Sequence, residues 1–410
     1  MDTPRRSTLL AGVGVAVLVL TAVLGPVLAA SGDAATDGDA AERTLVGVQG
    51  VGSYHSGGRV LALANDSLAW SENSSETYFD VTRLENGSVV VGFMQGGYAQ
   101  CGPYESPCAR TGFRIVDPDA DAGPEIVHEW SFPVRSRANS EVHDVEPLPD
   151  GGFVLTDMDA ERVLIVRGGE VVWEWRAESR YPPPADPTTV DWLHINDVDR
   201  IGDGRFLVSV RNANQLVVLQ RGEGVVEVIN EDGDEATLNH QHNPQWLGDG
   251  AVLVADSENH RIVELHRADN GTWVPVWTLE SAQGKRLNWP RDADRLPNGN
   301  TLVTDTRNAR LLEVNESGTV VWRHQFPYLY LPYEADRVPG NERVGGPVYG
   351  DDAVAQAANQ ADAVPVLTPA FRLVSAAAPL PLWFGEWHLL SAVVGVGLLA
   401  VGAVVRRRGG

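Results

Sequence analysis

Short apolar stretches separated by turn-forming residues fill the middle of the chain and recur at a regular interval. A four-residue turn ending in glycine lies between two apolar stretches at 84–87, 148–151, 201–204, 247–250 and 296–299. Such tetrads are typical of the tight turn of a β-hairpin. They follow one another at an average spacing of about 53 residues, which leaves room for four short strands. The pattern predicts a β-propeller in which each repeat is one blade.

The outermost strand of each repeat is the easiest to recognise, because five of the six end in tryptophan. These residues are Trp70, Trp130, Trp173, Trp277 and Trp322, and the stretch VVEVI at 225–229 takes the remaining place. One blade is predicted to be split, with three strands in TLVGVQG, RVLALA and SLAW and its first strand in EADRVPG at 334–340. A split blade closes the ring and leaves no free sheet edge. We therefore predict an all-β fold, a six-bladed β-propeller with four-stranded blades over residues 44–340.

Apolar runs long enough to cross a bilayer flank this region at 8–28 and 383–405. Both runs are predicted to be transmembrane helices, joined to the propeller by an acidic linker at 31–43 and by a second linker at 341–380. Arginines lie on the outer flank of each run, so the positive-inside rule places both termini in the cytoplasm and the propeller on the extracellular side. A cleaved signal peptide is the alternative for the first run.

The composition adds two points to this picture. The formal net charge is −23, and Lys285 is the single lysine. Nucleic-acid binding requires a basic surface, so this charge argues against nucleic acid as a partner. An acidic, lysine-poor surface is also typical of proteins from salt-loving organisms, which we take as a hypothesis about habitat. Cys101 and Cys108 are the only cysteines, and their seven-residue spacing in a Gly/Pro-rich loop predicts a disulfide in an exported domain.

Polar side chains occur where the first strands of the blades are predicted to begin. The first strand of a propeller blade lines the central channel, so equivalent residues meet at one mouth. Seven positions before the Asp or Asn of each tetrad the residues are Phe79, His143, Asn196, His242 and Arg291. His, Asn and Arg are not the side chains that core packing selects. The residue after each is an acid or an amide, which suggests a hydrogen bond to the neighbouring blade.

Four further side chains are predicted to reach the same mouth. His194 and His240 each precede a ring residue by two positions, so in an extended chain they point the same way as that residue. Arg211 and Arg307 follow second strands, which end where first strands begin. Two loops lead into the mouth, at 133–141 and 180–192, and the second is positioned to act as a lid.

The predicted pocket suits an anion with several oxygens, because Arg, Asn and His side chains all donate hydrogen bonds. An imidazole in such a pocket can act as a nucleophile. We assign that role to His242, with His143 and His194 stabilising charge or moving a proton. The three histidines could instead bind a divalent metal, and Arg211 and Arg307 could be partners in surface salt bridges. Acids at the ends of second strands are expected to be solvated or to cap turns, namely Asp157, Asp159, Asp256 and Asp305.

The segments HDVEPLPDGGFV, HINDVDRIGDGRFLVSVRN and QHNPQWLGDGAVLVAD occur in this order and resemble the motifs of the arylsulfotransferase family. The resemblance covers roughly residues 44–340. It implies a six-bladed propeller enzyme that moves a sulfuryl group from a phenolic sulfate ester to another phenol, without a nucleotide sulfate donor. In that family a histidine carries the group covalently, and the match assigns this role to His242. Its supporting histidines fall on His143 and His194, its asparagine on Asn196 and its arginine on Arg211.

The strand count and the resemblance together define the expected site. The catalytic residues are expected to be His242, His143, His194, Arg211 and Asn196, and the substrate-binding residues Arg291, Arg307 and His240. No cofactor and no resident metal are expected, and the expected partners are an aryl sulfate, a phenol and the membrane. Two alternatives stay open, a surface propeller that binds a partner or glycan without chemistry and a metal-dependent enzyme built on the histidines.

Overall fold

The computed structural model divides the chain into two compact units, Thr36–Gln360 and the two chain ends together, Met1–Ala35 with Ala361–Gly410. The residues it describes are 43–50, 57–64, 66–327, 330–339, 343–350, 367–377 and 384–408, together with Val13 and Val15.

Strands make up almost all of the regular structure in the larger unit. Strands β1–β7 are Arg43–Gln49, Arg59–Ala64, Ser67–Glu72, Thr77–Arg83, Val89–Tyr98, Cys108–Asp117 and Glu125–Val134. Strands β8–β15 are Val145–Pro147, Phe153–Asp157, Arg162–Arg167, Glu170–Arg176, Ile195–Gly202, Arg205–Val210, Gln215–Gln220 and Gly224–Ile229. Strands β16–β21 are His242–Gly248, Ala251–Asp256, Arg261–Arg267, Trp273–Leu279, Ser281–Ala282 and Lys285–Arg286. Strands β22–β26 are Asp292–Arg295, Thr301–Asp305, Arg310–Val314, Val320–Gln325 and Leu331–Val338. Short 3-10 turns are Ala177–Ser179, Pro187–Thr189, Arg211–Ala213 and Thr306–Asn308.

These strands form six four-stranded antiparallel sheets, with β20 and β21 as a separate hairpin. Five sheets use consecutive strands, namely β4–β7, β8–β11, β12–β15, β16–β19 and β22–β25. The sixth has the order β26-β1-β2-β3, and its β1 pairs with β26 from Arg43 opposite Val338 to Gln49 opposite Leu331. This is the predicted split blade. The prediction of an all-β, six-bladed propeller with four-stranded blades is confirmed.

The turn tetrads lie between the first and second strands of their blades, as predicted. Their glycines all have positive φ, namely Gly87 (92°), Gly151 (82°), Gly204 (64°), Gly250 (100°) and Gly299 (86°). Residues other than glycine rarely adopt this backbone conformation, because their Cβ atom clashes with the backbone. The recurring glycine is therefore a requirement of the turn.

Tryptophans of the outer strands join neighbouring blades. Nε1 of Trp130 donates to the carbonyl oxygen of Gly169 at 2.9 Å, and Nε1 of Trp277 donates to that of Glu316 at 2.8 Å. Each bond runs from one blade to the next, and Trp277 is completely buried. A large ring with one polar group at its edge suits such a seam, because it buries apolar area and still pairs its N–H.

Three of the acids expected to be solvated are buried instead. They pair across the strands with arginines, in Asp157–Arg162 (2.7 Å), Asp256–Arg261 (2.7 Å) and Asp305–Arg310 (2.6 Å). The expectation of solvation was wrong because the Asp ends the second strand and the Arg begins the third, so antiparallel pairing sets them directly opposite. The alternative, that these acids cap turns, holds for Asp157, whose Oδ1 accepts the N–H of Ala160 at 3.1 Å. Asp159 remains partly exposed and pairs with Arg135 at 3.3 Å.

Cys101, in the loop after β5, forms the predicted disulfide with Cys108, the first residue of β6. Outside the blades, residues 343–350 lie against the propeller, where Tyr349 is buried, and helix α1 spans Leu367–Ala377. Helix α2 spans Glu386–Arg408. By length and composition, its segment Glu386–Arg407 is the one described helix that could cross a membrane, with a mean hydropathy of 2.3. The predicted first span, 8–28, lies outside the described residues apart from Val13 and Val15, as does the acidic linker except for Arg43.

Candidate active site at the mouth of the central channel

The starts of the six first strands form a ring of side chains at one end of the channel. The ring of Tyr333 lies 5.1 Å from that of His143, 5.3 Å from that of Phe79 and 6.1 Å from that of His242, measured between centroids. Sequence counting had supplied five positions, and Tyr333 is the sixth, from the split blade. All six are buried, namely Phe79, His143, Asn196, His242, Arg291 and Tyr333.

His242 is held in one tautomer by its hydrogen bonds. Its Nδ1 lies 2.8 Å from Oγ of Ser257, and that hydroxyl donates to the carbonyl oxygen of Pro290 at 2.7 Å. A hydroxyl has one hydrogen, so Ser257 accepts from Nδ1–H and the lone pair of the ring remains on Nε2. Burial, followed by the charges of Arg291 and Arg211, holds the pKa of His242 well below its ordinary 6.5. The imidazole is therefore neutral at neutral pH, with a free lone pair on Nε2.

His194 lies beside His143, with 5.6 Å between their ring centroids. Nδ1 of His194 is 2.8 Å and 2.9 Å from the two carboxylate oxygens of Asp191. Burial acts to raise the pKa of Asp191, but the hydrogen bond from His194 outweighs it, and the pKa of Asp191 is lowered. Burial lowers the pKa of His194. The pair is therefore a neutral imidazole whose Nδ1–H donates to an ionised carboxylate. Its Nε2 can accept a proton.

Two guanidinium groups lie on Trp289. Cζ of Arg291 is 3.8 Å and Cζ of Arg307 is 3.9 Å from the Trp289 ring centroid. Arg291 also lies 4.8 Å from the centroid of Tyr333 and donates to Oε1 of Gln49. Burial lowers the pKa of Arg291 to about 9, so it stays charged at neutral pH. Cation–π contacts orient these charges without neutralising them.

The remaining predicted residues lie around this centre. Nδ2 of Asn196 donates to the carbonyl oxygen of Gln241 at 2.9 Å, and its buried Oδ1 has no partner among the described residues. Arg211 donates to Oδ1 of Asn212 at 2.7 Å, and Nδ1 of His240 lies 2.8 Å from Oδ1 of Asn239. The side chains of Arg211, Arg307 and His240 are partly exposed, so they form the outer rim of the buried ring.

The backbone at His194 and His240 is not extended, and the expectation that it would be was wrong. The φ angles are 54° at His194, 49° at His240 and 57° at Trp289, all in the left-handed region. The backbone N–H of each of these residues donates to a side chain from the turn that precedes the third strand of a blade. The Glu161 carboxylate accepts the N–H groups of Leu193, His194 and Ile195, Oδ1 of Asn214 accepts that of His240, and Nδ1 of His260 accepts that of Trp289. Tertiary hydrogen bonds therefore stabilise a conformation that the local sequence disfavours.

The residues after the ring positions bind the neighbouring blades, as the sequence suggested. Their carboxylates accept backbone N–H groups from the next first strand, in the pairs Asp80–Val145, Asp144–Val198, Asp292–Ala335 and Glu334–Val81. Asp197 breaks the series, because the equivalent residue of the next blade is Pro244, which has no N–H. Burial and then repulsion between carboxylates raise the pKa of Asp144 and of Asp197 well above the ordinary value.

The two loops predicted to lead into the mouth touch each other. Arg135 donates to the carbonyl oxygen of Pro187 at 3.4 Å, and Arg137 pairs with Glu76 at 3.2 Å. A cavity of about 210 Å³ opens between the loops, and its lining includes Asp191 and Glu161. These are the two residues that hold His194, so the cavity lies next to the site.

Sequence reasoning missed Tyr333, Trp289, Ser257 and Asp191. Trp289 precedes Arg291 by two positions, which is the relation that had singled out His194 and His240, so the same rule would have found it. Within the described ranges, one group of three carboxylate, thiol or imidazole side chains has its ligand atoms within 4.8 Å of one another. That group is Asp80, Asp144 and Glu146, and no histidine belongs to it.

Comparison with known proteins supports the resemblance seen in the sequence. The model of the arylsulfotransferase (ASST) family matches residues 184–327, the part of the chain that carries Asn196, Arg211, His242, Arg291 and Arg307. The predicted resemblance is thus confirmed over these residues. No protein of curated function matches the chain.

Solved structures support the fold. A protein of unknown function from Bacteroides caccae is similar over 73% of this chain and 99% of its own, with 16% identity and a TM-score of 0.52. Virginiamycin B lyase from Staphylococcus aureus matches 61% of this chain and 70% of its own, with 11% identity and a TM-score of 0.38. At these identities the first similarity supports the fold alone, and the second is too low to support any conclusion about this chain.

Proposed function

We propose that the propeller is an extracellular, membrane-anchored sulfotransferase that moves a sulfuryl group from a phenolic sulfate ester to an acceptor phenol through a covalent sulfohistidine at His242. The observation that carries the proposal is the state of His242. It is a buried, neutral imidazole with Nδ1–H fixed on Ser257 and a lone pair on Nε2. The family match over residues 184–327 points to the same chemistry.

In the first step, Nε2 of His242 attacks the sulfur of the donor. The N–S bond forms as the bond between sulfur and the aryl oxygen breaks, and the phenol leaves as phenolate. The reacting sulfuryl oxygens carry negative charge, and the guanidinium of Arg291 supplies a fixed positive charge beside them. Its stacking on Trp289 and Tyr333 orients its hydrogen-bond donors in advance.

In the second step, the acceptor phenol attacks the same sulfur and the N–S bond breaks, which returns His242 to its neutral state. The acceptor must lose its proton as it attacks. His194 is suited to take that proton, because Asp191 holds its Nδ1–H and leaves Nε2 as the acceptor. Asp191 would then stabilise the imidazolium formed.

The test uses the full-length chain in detergent, incubated with p-nitrophenyl sulfate and a phenol. We expect nitrophenol release by the wild type and none above background by His242→Ala. His128→Ala is the matched control, because His128 is exposed on β7, and it should keep wild-type activity. Mass spectrometry of the donor-treated protein at alkaline pH should find one added sulfuryl group on His242. Release that is equal in wild type and His242→Ala would overturn the proposal.

The membrane anchor and the extracellular side are tested separately. The apolar segment Glu386–Arg407, which ends in a run of arginines, and the Cys101–Cys108 disulfide support this part of the proposal. Protease added to intact cells should digest the propeller, while a tag placed after Gly410 should be protected. A protected propeller would contradict the assigned orientation.

A further inference from the structure

Below the mouth, the central channel is lined by carboxylates from adjacent blades. Residues two apart on a strand face the same way, so Glu146 follows Asp144 and Asp199 follows Asp197 along the channel. Asp80 belongs to the preceding blade. We propose that this cluster, Asp80, Asp144, Glu146, Asp197 and Asp199, binds one calcium ion that links three first strands. The site is separate from the sulfuryl-transfer centre, and the inference does not rest on the proposed function.

The geometry of three of these residues fits a shared cation. One oxygen each of Asp80, Asp144 and Glu146 lies within 4.8 Å of the others. Calcium–oxygen distances are about 2.3–2.6 Å, so ligands on opposite sides of one ion are up to about 5 Å apart. The three oxygens are therefore close enough to share a single ion, whereas Asp197 and Asp199 lie outside this group and would reach the ion by rotation of their side chains.

Asp197 and Asp199 provide the independent sign that a ligand belongs here. Both are buried, at 3% and 7% exposure, and Oδ1 of Asp197 and Oδ2 of Asp199 have no hydrogen-bond partner in the described part of the chain. Asp197 lacks a backbone donor because the equivalent residue of the next blade, Pro244, has no N–H. The carboxylates of the other four residues at this position each accept an N–H from the next blade, namely Asp80, Asp144, Asp292 and Glu334. A buried carboxylate without a partner is costly, and a bound cation removes that cost.

A small cavity beside the cluster is lined by side chains of both charges. Arg200 and Arg343 line a cavity of about 30 Å³ together with Glu146 and Asp199, and Arg200 pairs with Asp203 at 3.4 Å. Because this cavity borders Glu146 and Asp199, we expect a cation to reach the cluster through it. The donors are all carboxylates, which favour hard cations over transition metals. Calcium accepts irregular sets of six to eight oxygens, whereas magnesium requires a near-octahedral arrangement.

The test is thermal unfolding of the full-length chain in detergent, freed of divalent ions and held at constant high salt. Adding calcium at about 100 times its dissociation constant should raise the melting temperature by about 5 °C. Asp199→Asn should lose most of this rise. In metal-free buffer it should melt above the wild type, because one repelling carboxylate is gone. Elemental analysis after dialysis should find one calcium per chain in the wild type and none in Asp199→Asn.

Asp269→Asn is the matched control, since it removes the same charge from an exposed turn, and it should respond to calcium like the wild type. Asp197→Asn is the second variant, to be used if Asp199→Asn does not fold. The proposal is overturned if calcium leaves the wild-type melting temperature unchanged. It is also overturned if calcium raises the melting temperature of Asp199→Asn, or of Asp197→Asn where that variant is used, by as much as it raises that of Asp269→Asn.

Discussion

Ser257 is expected to control the reactivity of His242 without touching the substrate. In Ser257→Ala, Nδ1–H of His242 loses the oxygen that accepts it at 2.8 Å, and no water-exposed surface replaces it, because both residues are almost completely buried. The imidazole then keeps an unsatisfied Nδ1–H or moves its proton to Nε2. Either change disfavours the form whose Nε2 attacks sulfur.

The magnitude follows from the cost of an unpaired buried donor, about 1–3 kcal/mol. At 1.36 kcal/mol per factor of ten, the nucleophilic tautomer should be depleted about 5- to 150-fold. The same factor should appear in the rate of the first half-reaction, measured as the burst of nitrophenol in a single turnover with p-nitrophenyl sulfate. The second half-reaction begins from N-sulfonated imidazole and should be less affected.

Two further variants separate this effect from a general loss of structure. Ser257→Thr keeps the hydroxyl and should retain most of the burst rate, even if its added methyl group lowers the melting temperature. Ser281→Ala removes the hydroxyl of another fully buried serine and should leave the burst unchanged. A burst rate in Ser257→Ala within twofold of the wild type would refute the assigned tautomer.

Three other predictions concern the same mouth. The buried hydroxyl of Tyr333 has no partner among the described residues, so it is free to donate a hydrogen bond to a sulfuryl oxygen at the mouth. Tyr333→Phe should therefore slow sulfuryl transfer about tenfold without lowering the melting temperature, and a lower melting temperature would contradict this. Arg291→Lys should raise KM for the aryl sulfate at least tenfold, since lysine loses both the planar stack on Trp289 and the donor fork. Burial raises the pKa of Glu161 to about 7. The folded state therefore binds this proton more tightly than the unfolded state, and stability should fall as pH rises from about 4.5 to 7 and then level off. Melting curves across that range should show a shallower fall in Glu161→Gln, and an identical slope would refute the shift.

The blade pattern was readable from the sequence because it depends on local chemistry. Glycine turns, short strands and outer-strand tryptophans repeat with the blades, and the equivalence of first strands followed from them. The count missed Tyr333 because the sequence at the end of the first strand of the split blade reads VPGN, with its asparagine one place later than in the tetrads. Counting back from it gives Glu334, one residue beyond the true position.

Other features depend on contacts between blades, which no local pattern encodes. The left-handed backbone of His194 exists because the Glu161 carboxylate, from the preceding blade, accepts three successive N–H groups. Ser257 meets His242 from the end of the adjacent second strand. Pro244 was visible in the sequence, but its effect on Asp197 could be understood only once the bonds between first strands were known.

The pairing of β1 with β26 has a consequence for how the protein is made. Arg43 lies opposite Val338, so β1, the first of the described strands to leave the ribosome, has no partner on its channel side until nearly all of the propeller has been synthesised. The other five blades are contiguous in the chain and can form in order, but the ring must wait for its last strand. Contacts over such a separation are slow to form. Until β26 arrives, β1 presents an open edge to which a neighbouring chain can pair, so chaperone protection during folding should matter most at this strand.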